Sequence, residues 1–177
     1  MGRSRYKIYE PTYPHFVTFT ILHWIPIFTN KESVQIVIDS LKYLQKEDDL
    51  KIYAFVILEN HMHLIIKSDN LPKTIQKFKR HTAKYIIALL KEKGVTTILD
   101  QLAFYKKAHK KMSQLQLWQE GYQPKLILND NMMIETIKYI HNNPIKRGYV
   151  EKDWHWLYSS ARDYNGLDGL VEIEKFF

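Results

Sequence analysis

The stretch that most constrains this chain is Tyr53-Ala54-Phe55-Val56-Ile57-Leu58-Glu59-Asn60-His61-Met62-His63-Leu64-Ile65-Ile66, two apolar runs that meet at a pair of histidines. Both runs favour β-branched and aromatic residues and are too short for free-standing helices. They predict two strands joined at Glu59-Asn60, a hairpin signal. In a strand, residues i and i+2 point to the same face. His61 and His63 then stand side by side, with Met62 turned away. Two imidazoles fixed on a rigid sheet are half of a metal site, or half of a phosphate-binding site. A lone His-x-His is more simply a polar patch on a sheet, so only a second constellation elsewhere can decide between the readings.

The other elements follow from periodicity and punctuation. His15 to Leu22 alternates as a first strand, and Trp24 to Asn30, with Pro26, is a turn. Residues 31–47 place Val34, Val37, Ile38, Leu41 and Leu44 at helical spacing behind Asn30 as N-cap. Strands are expected at 50–58 and 61–67. A long helix follows over 71–93, with Pro72 in its first turn, Gly94 as its stop and an apolar stripe of Ile75, Phe78, Thr82, Tyr85, Ile86 and Leu89. Its other side carries Lys73, Lys77, Lys79, Arg80, His81 and Lys84 with almost no acids, which suits phosphate. A further helix is expected over 99–117, with a cluster of Lys106, Lys107, Lys110 and Lys111. An edge strand is expected at 125–128, and a helix capped by Asp130 runs to about Asn142, ended by Pro144. The order strand, helix, strand, strand, helix, weak strand, helix is that of a split β-α-β, ferredoxin-like α+β fold. It implies an antiparallel-containing sheet with helices on one face.

Length and composition agree with one domain over 1–177, with a basic arm at 1–13 and a C-terminal tail at 165–177. The 177 residues are 45% hydrophobic, enough for a packed core. The chain has no cysteine, which removes disulfides, thiolate metal sites and cysteine nucleophiles. No stretch reads as a membrane span or a secretory signal, and a bacterial-type cytoplasmic location is the simplest expectation. Lys and Arg number 26 against 19 Asp and Glu, a net charge of +7 that suits a polyanion such as nucleic acid. The 12 tyrosines among these cations suit stacking on unpaired bases. Arg3, Arg5, Lys77, Arg80 and Lys84 are the candidate DNA contacts. The tryptophans at 118, 154 and 156 read as core or lid.

The second constellation is Tyr139-Ile140-His141-Asn142-Asn143-Pro144. Tyr139 and Asn143, four apart, share a helix face, while His141 and Asn142 point elsewhere. An Asn143 carbonyl suits a hard cation as third ligand beside two imidazoles. Tyr139, one turn away, is then placed as a hydroxyl nucleophile. Tyr85, Tyr158 and Tyr164 compete for that role, but none has an amide four residues on followed by proline.

With these two blocks in view, the chain resembles the single-tyrosine HUH transposases of insertion sequences and their domesticated relatives associated with repetitive extragenic palindromes. The similarity rests on Ile57 to Ile65, on Tyr139 to Val150, on Leu117-Trp118-Gln119 and on the aromatic segment Trp154 to Ser160, spanning about residues 13–164. The resemblance implies cleavage and rejoining of single-stranded, often hairpin, DNA through a covalent 5′-phosphotyrosine and a free 3′-OH, with no nucleotide cofactor. It implies Tyr139 as nucleophile and a divalent ion, Mg²⁺ or Mn²⁺, on His61, His63 and Asn143. Relatives act as homodimers or alone. Glu59 departs from the family pattern, which often has proline there. It is either a solvated turn residue or a carboxylate that joins the metal or orients an imidazole.

Overall fold

The computed structural model describes residue 10 and residues 12–110, 113–121 and 124–177. Arg3 and Arg5 of the expected basic arm, and Lys111 of the second lysine cluster, lie outside the described residues. Four strands, β1 (His15–Thr20), β2 (Lys51–Ile57), β3 (His61–Lys67) and β4 (Lys125–Leu126), form a sheet in the order β2-β3-β1-β4. Every pairing is antiparallel. β3, which carries the two histidines, is therefore held on both sides, by β1 and by β2.

Helix α1 (Lys31–Asp48) connects β1 to β2 and begins where Asn30 accepts the Glu32 N–H. Helix α2 (Leu71–Glu92) is capped by Asn70 and followed by Gly94 at φ 64°, a backbone region natural to glycine. The helices α1 and α2 bury Val37, Leu41, Leu44, Ile75 and Phe78 against Val17, Phe19, Phe55 and Leu64 on one sheet face. That layer matches the expected α+β arrangement. The expectation that helices keep to one face is amended by helix α4 (Asp130–Lys146). Its Met133, Ile137 and Ile140 pack with Ala54, Val56, Leu58 and Ile65 on the opposite face.

Several expected boundaries shift, each for a physical reason. The helix expected over 99–117 is only α3 (Thr96–Phe104). Beyond Tyr105, lysines at helical spacing repel one another and no apolar stripe continues. In α2, Tyr85 is exposed and Leu90 is buried in its place, so the stripe turns slightly from the one expected. Asn129, not Asp130, caps α4, accepting the Met132 N–H. The helix also runs through Pro144 to Lys146. Burial of Ile140, His141, Asn143 and Pro144 holds the last turn despite the missing proline N–H, and Arg147 N–H bonds the Asn143 carbonyl.

After α4 the chain returns along the outer edge of β2. Ile57 N–H bonds Tyr158 O at 2.9 Å, Ser160 N–H bonds Phe55 O at 3.0 Å, and Glu174 N–H bonds Ile52 O at 2.9 Å. Trp156 Nε1 donates to Ile57 O at 2.9 Å. Helix α5 (Ala161–Tyr164) follows, and the Tyr164 hydroxyl donates to Tyr53 O. Trp118 is buried, donating to Thr82 Oγ1 at 2.9 Å, so it belongs to the core as expected. Among the described residues no helix is long and apolar enough to cross a membrane.

Candidate metal site and tyrosine helix

The register fixes the site. His63 lies opposite Thr18 of β1 and Val56 of β2, and His61 lies opposite Thr20. With Ile65 they share the face that α4 covers. The ring centres of His61 and His63 are 4.9 Å apart, edge to face. Both are buried, 5% and 7% exposed.

Each imidazole has its Nδ1 occupied by a protein oxygen. Asn60 Nδ2 donates to Trp24 O at 3.2 Å, which turns Asn60 Oδ1 toward His61 Nδ1 at 2.7 Å. An amide oxygen only accepts, so His61 carries its proton on Nδ1 and presents a bare Nε2. Thr18 Oγ1 lies 2.8 Å from His63 Nδ1 and holds that ring through the same nitrogen, leaving Nε2 bare when the hydroxyl accepts. A ring held through one nitrogen with the other unprotonated is the arrangement of metal-ligating histidines. Burial, then the Arg147 charge, lowers the His61 pKa, against a smaller opposing pull from Glu59. His63 is pushed down to about 3 by burial, then by His61 and Arg147. Both rings are thus neutral near pH 7, as coordination requires.

Helix α4 brings the second constellation to this pair within one chain. The Tyr139 ring packs 5.5 Å from the His63 ring and 5.9 Å from Phe16, which itself stacks on His63 at 5.4 Å. Tyr139 remains 44% exposed, so a substrate can reach it. Asn143 is buried one turn further along α4. Lys146 Nζ sits 5.7 Å from the Tyr139 ring centre. Arg147, at the end of the same helix, pairs with Glu59 Oε1 at 2.6 Å. Glu59 is therefore ion-paired rather than freely solvated. It ties the β2–β3 connection to α4. Among the described residues no group of three or more His, Cys, Asp or Glu is placed to hold a metal. Two imidazoles stand together here as nitrogen donors.

The demoted residues have other work. His141 is buried, its Nε2 2.8 Å from Ser160 Oγ, and joins α4 to the segment beside β2. Tyr164 is bonded to Tyr53 O, and burial raises its pKa. Tyr85 lies on α2, across the sheet from the histidines.

The structure does not bring the candidate DNA contacts Lys77, Arg80 and Lys84 to the imidazoles, because α2 covers the other sheet face. Lys77 pairs with Asp48 at 2.5 Å. Lys84 lies over its neighbour Tyr85. Lys79, expected on the exposed side, instead donates to Gly121 O at 3.0 Å and lies over the Phe19 ring. Sequence reasoning missed Thr18, Phe16, Asn60 and Arg147 as site residues. The alternation of Phe16 and Thr18 against Val17 and Phe19 carried the signal for the first two. Asn60 and Arg147 lie inside the two blocks that carry the resemblance, but nothing in those blocks marked them as site residues.

No protein-family model matches the chain. In sequence it is 30% identical over 107 residues to a Haemophilus influenzae protein that carries the provisional name REP-associated tyrosine transposase. That match takes in 60% of this chain and 56% of the relative, so the chain spans little more than half of the relative's length. In structure it is similar to a REP-associated tyrosine transposase bound to a REP hairpin, with a TM-score of 0.64 over 98% of this chain and 93% of that one. At 19% identity this likeness shows a shared fold. A Deinococcus radiodurans protein provisionally named a transposase superposes with a TM-score of 0.44 at 14% identity, over 80% of this chain and 97% of that one, too loosely to carry an argument. The resemblance read from the sequence motifs thus meets a like sequence and a like fold.

Proposed function

We propose that this chain is a transposase-type strand transferase acting on single-stranded, hairpin-bearing DNA, with Tyr139 as nucleophile. The observation that carries the reading is the packing of the Tyr139 ring against His63 within one chain. The sequence likeness to a protein named as a tyrosine transposase supports it, as does the fold shared with one bound to a REP hairpin.

His61 Nε2, His63 Nε2 and the Asn143 amide would hold a divalent ion, Mg²⁺ or Mn²⁺. When bound, such an ion supplies Lewis acidity to a phosphate's non-bridging oxygens. The chain's own residues do the rest. Phe16 and His63 pack against one side of the Tyr139 ring and hold it beside the imidazoles. The Tyr139 oxygen loses its proton to solvent and forms a bond to phosphorus, while the phosphorus–O3′ bond breaks. The departing O3′ takes up a proton, leaving a 3′-OH and a 5′-phosphotyrosine. Attack by a different 3′-OH reverses these steps and frees Tyr139, so bond energy is conserved and no nucleotide is consumed. Lys146, on the same helix, sets positive charge beside the phenol.

The test is covalent trapping. A labelled hairpin with unpaired flanks is incubated with the protein and Mn²⁺, then run on a denaturing gel. The reading expects an adduct that Tyr139→Phe abolishes. Cleavage without adduct would indicate water as nucleophile. Binding with neither would leave a hairpin-binding module and sink the proposal.

A further inference from the structure

Leu22–Trp24, between β1 and α1, does something the fold does not ask of it. His23 and Trp24 both hold left-handed backbone, at φ 52° and 59°, although neither is glycine. The turn is not loose. Leu22 and Ile25 on either side are buried, Leu22 N–H bonds Leu117 O at 2.8 Å, and Trp24 O accepts from Asn60 at 3.2 Å. Yet the indole itself is 57% exposed. Its ring centre lies 6.0 Å from that of His61, edge to face, so it borders the imidazole pair. Beside it, His23 stacks on Tyr105 with ring centres 3.6 Å apart, and Phe104, 81% exposed, stands against Tyr105. The chain then runs directly into Lys106 and Lys107.

A large apolar ring presented to solvent by a rigid, strained turn adds nothing to the core. Flat aromatic faces interleaved with cations are what single-stranded nucleic acid uses, because every base has a π-face and every linkage a negative charge. We propose that Trp24, flanked by the His23–Tyr105 stack, is the platform on which an unpaired base next to the scissile phosphate of single-stranded DNA stacks. The inference deepens the strand-transfer reading and rests on it for the position of that phosphate. The link is short: Asn60 holds the Trp24 carbonyl with its amide nitrogen and the His61 ring with its amide oxygen. The base platform and the proposed ligand are thereby fixed relative to one another.

The experiment is an abasic scan. End-labelled hairpins carrying an unpaired oligo-dT flank, each with one abasic site at a successive flank position, are titrated with wild type, Trp24→Ala and Trp24→Phe. Thermal melting of each variant checks the fold, which an exposed side chain leaves intact. For wild type, one position is expected to lose affinity by roughly 5- to 150-fold, the range of one base stacked on an aromatic ring. Trp24→Ala should lose the same factor on the intact flank and show no further abasic effect, while Trp24→Phe keeps most of both. An abasic effect that persists undiminished in Trp24→Ala, or intact-flank affinity within twofold of wild type in that variant, overturns the platform. The two readings fail separately. A Tyr139-dependent adduct without Trp24 coupling removes the platform alone. Trp24 coupling without any adduct supports stacking and removes strand transfer.

Discussion

Asn60→Ala is the most informative perturbation of the site, because a single amide orients both a proposed ligand and the backbone beside it. The substitution removes the acceptor 2.7 Å from His61 Nδ1 and the donor to Trp24 O. His61 is only 5% exposed, so its Nδ1–H is left without a partner or the ring changes tautomer and covers Nε2 with a proton. Loss of such an orienting partner weakens metal affinity by about 10- to 100-fold, equivalent to about 1.4 to 2.7 kcal/mol. Asn60→Asp keeps an acceptor at Nδ1 and adds a charge that favours a cation, so it should return within about threefold of wild type by the same reasoning. The assay is calorimetric titration of Mn²⁺ into each folded protein at pH 7. Affinity in Asn60→Ala within twofold of wild type, or no Mn²⁺ binding by wild type at all, would refute the argument that the Asn60–His61 contact prepares a ligand. Thr18→Val should act on His63 in the same direction. The two effects should not simply add, because the rings touch.

Ile137→Ala, at a fully buried contact of α4 with β2 and β3, should cost about 2–5 kcal/mol in urea unfolding; a loss below 1 kcal/mol would mean that the tyrosine helix is seated by other contacts. Lys79 has its pKa lowered to about 8 by burial, then by Lys110. Its folded value lies below the unfolded one, so the unfolded chain binds more protons between pH 8 and 10.5, and stability rises with pH in that window. Relative to Lys79→Met, wild type should therefore gain stability between pH 7 and 9.5, and a constant difference across those pH values would contradict the lowered pKa. Glu59→Gln should lower stability by less than about 1 kcal/mol, since the Arg147 pair is partly solvated; a loss above 2 kcal/mol would show that the pair carries the α4 docking.

The outline of this molecule was legible wherever a periodic pattern met clear punctuation. Asn30 before a 3.6-residue stripe gave α1, and two short apolar runs meeting at Glu59-Asn60 gave the hairpin whose second strand holds the histidines. The meeting of Tyr139 with the imidazoles was legible only through the pairing of two motifs, because nothing local in α4 says which sheet face it covers. The apolar stripe of Met133, Ile137 and Ile140 reads the same for either face. Pro144 misled because its local preference against helix was overridden by the burial of Ile140, His141 and Asn143 around it. Lys79 misled because a long cation on a polar stripe can turn inward when a loop carbonyl awaits it, and that loop is forty residues away. Trp24 gave no warning at all: the exposure of its indole goes with backbone torsions that a His-Trp pair does not advertise.

The segment from Tyr158 to Glu174 that lines β2 has a bearing on how copies of this chain can associate. Along β2 the backbone groups of Ile52, Phe55 and Ile57 are taken up by this segment and so do not template another strand. Pairing of a second sheet along the covered stretch of β2 would have to displace this segment first. The same arrangement makes the C-terminal stretch a guard against fibrous growth. A chain cut short before Tyr158 would bare backbone along β2, and turbidity should betray it before any change in DNA chemistry is measured.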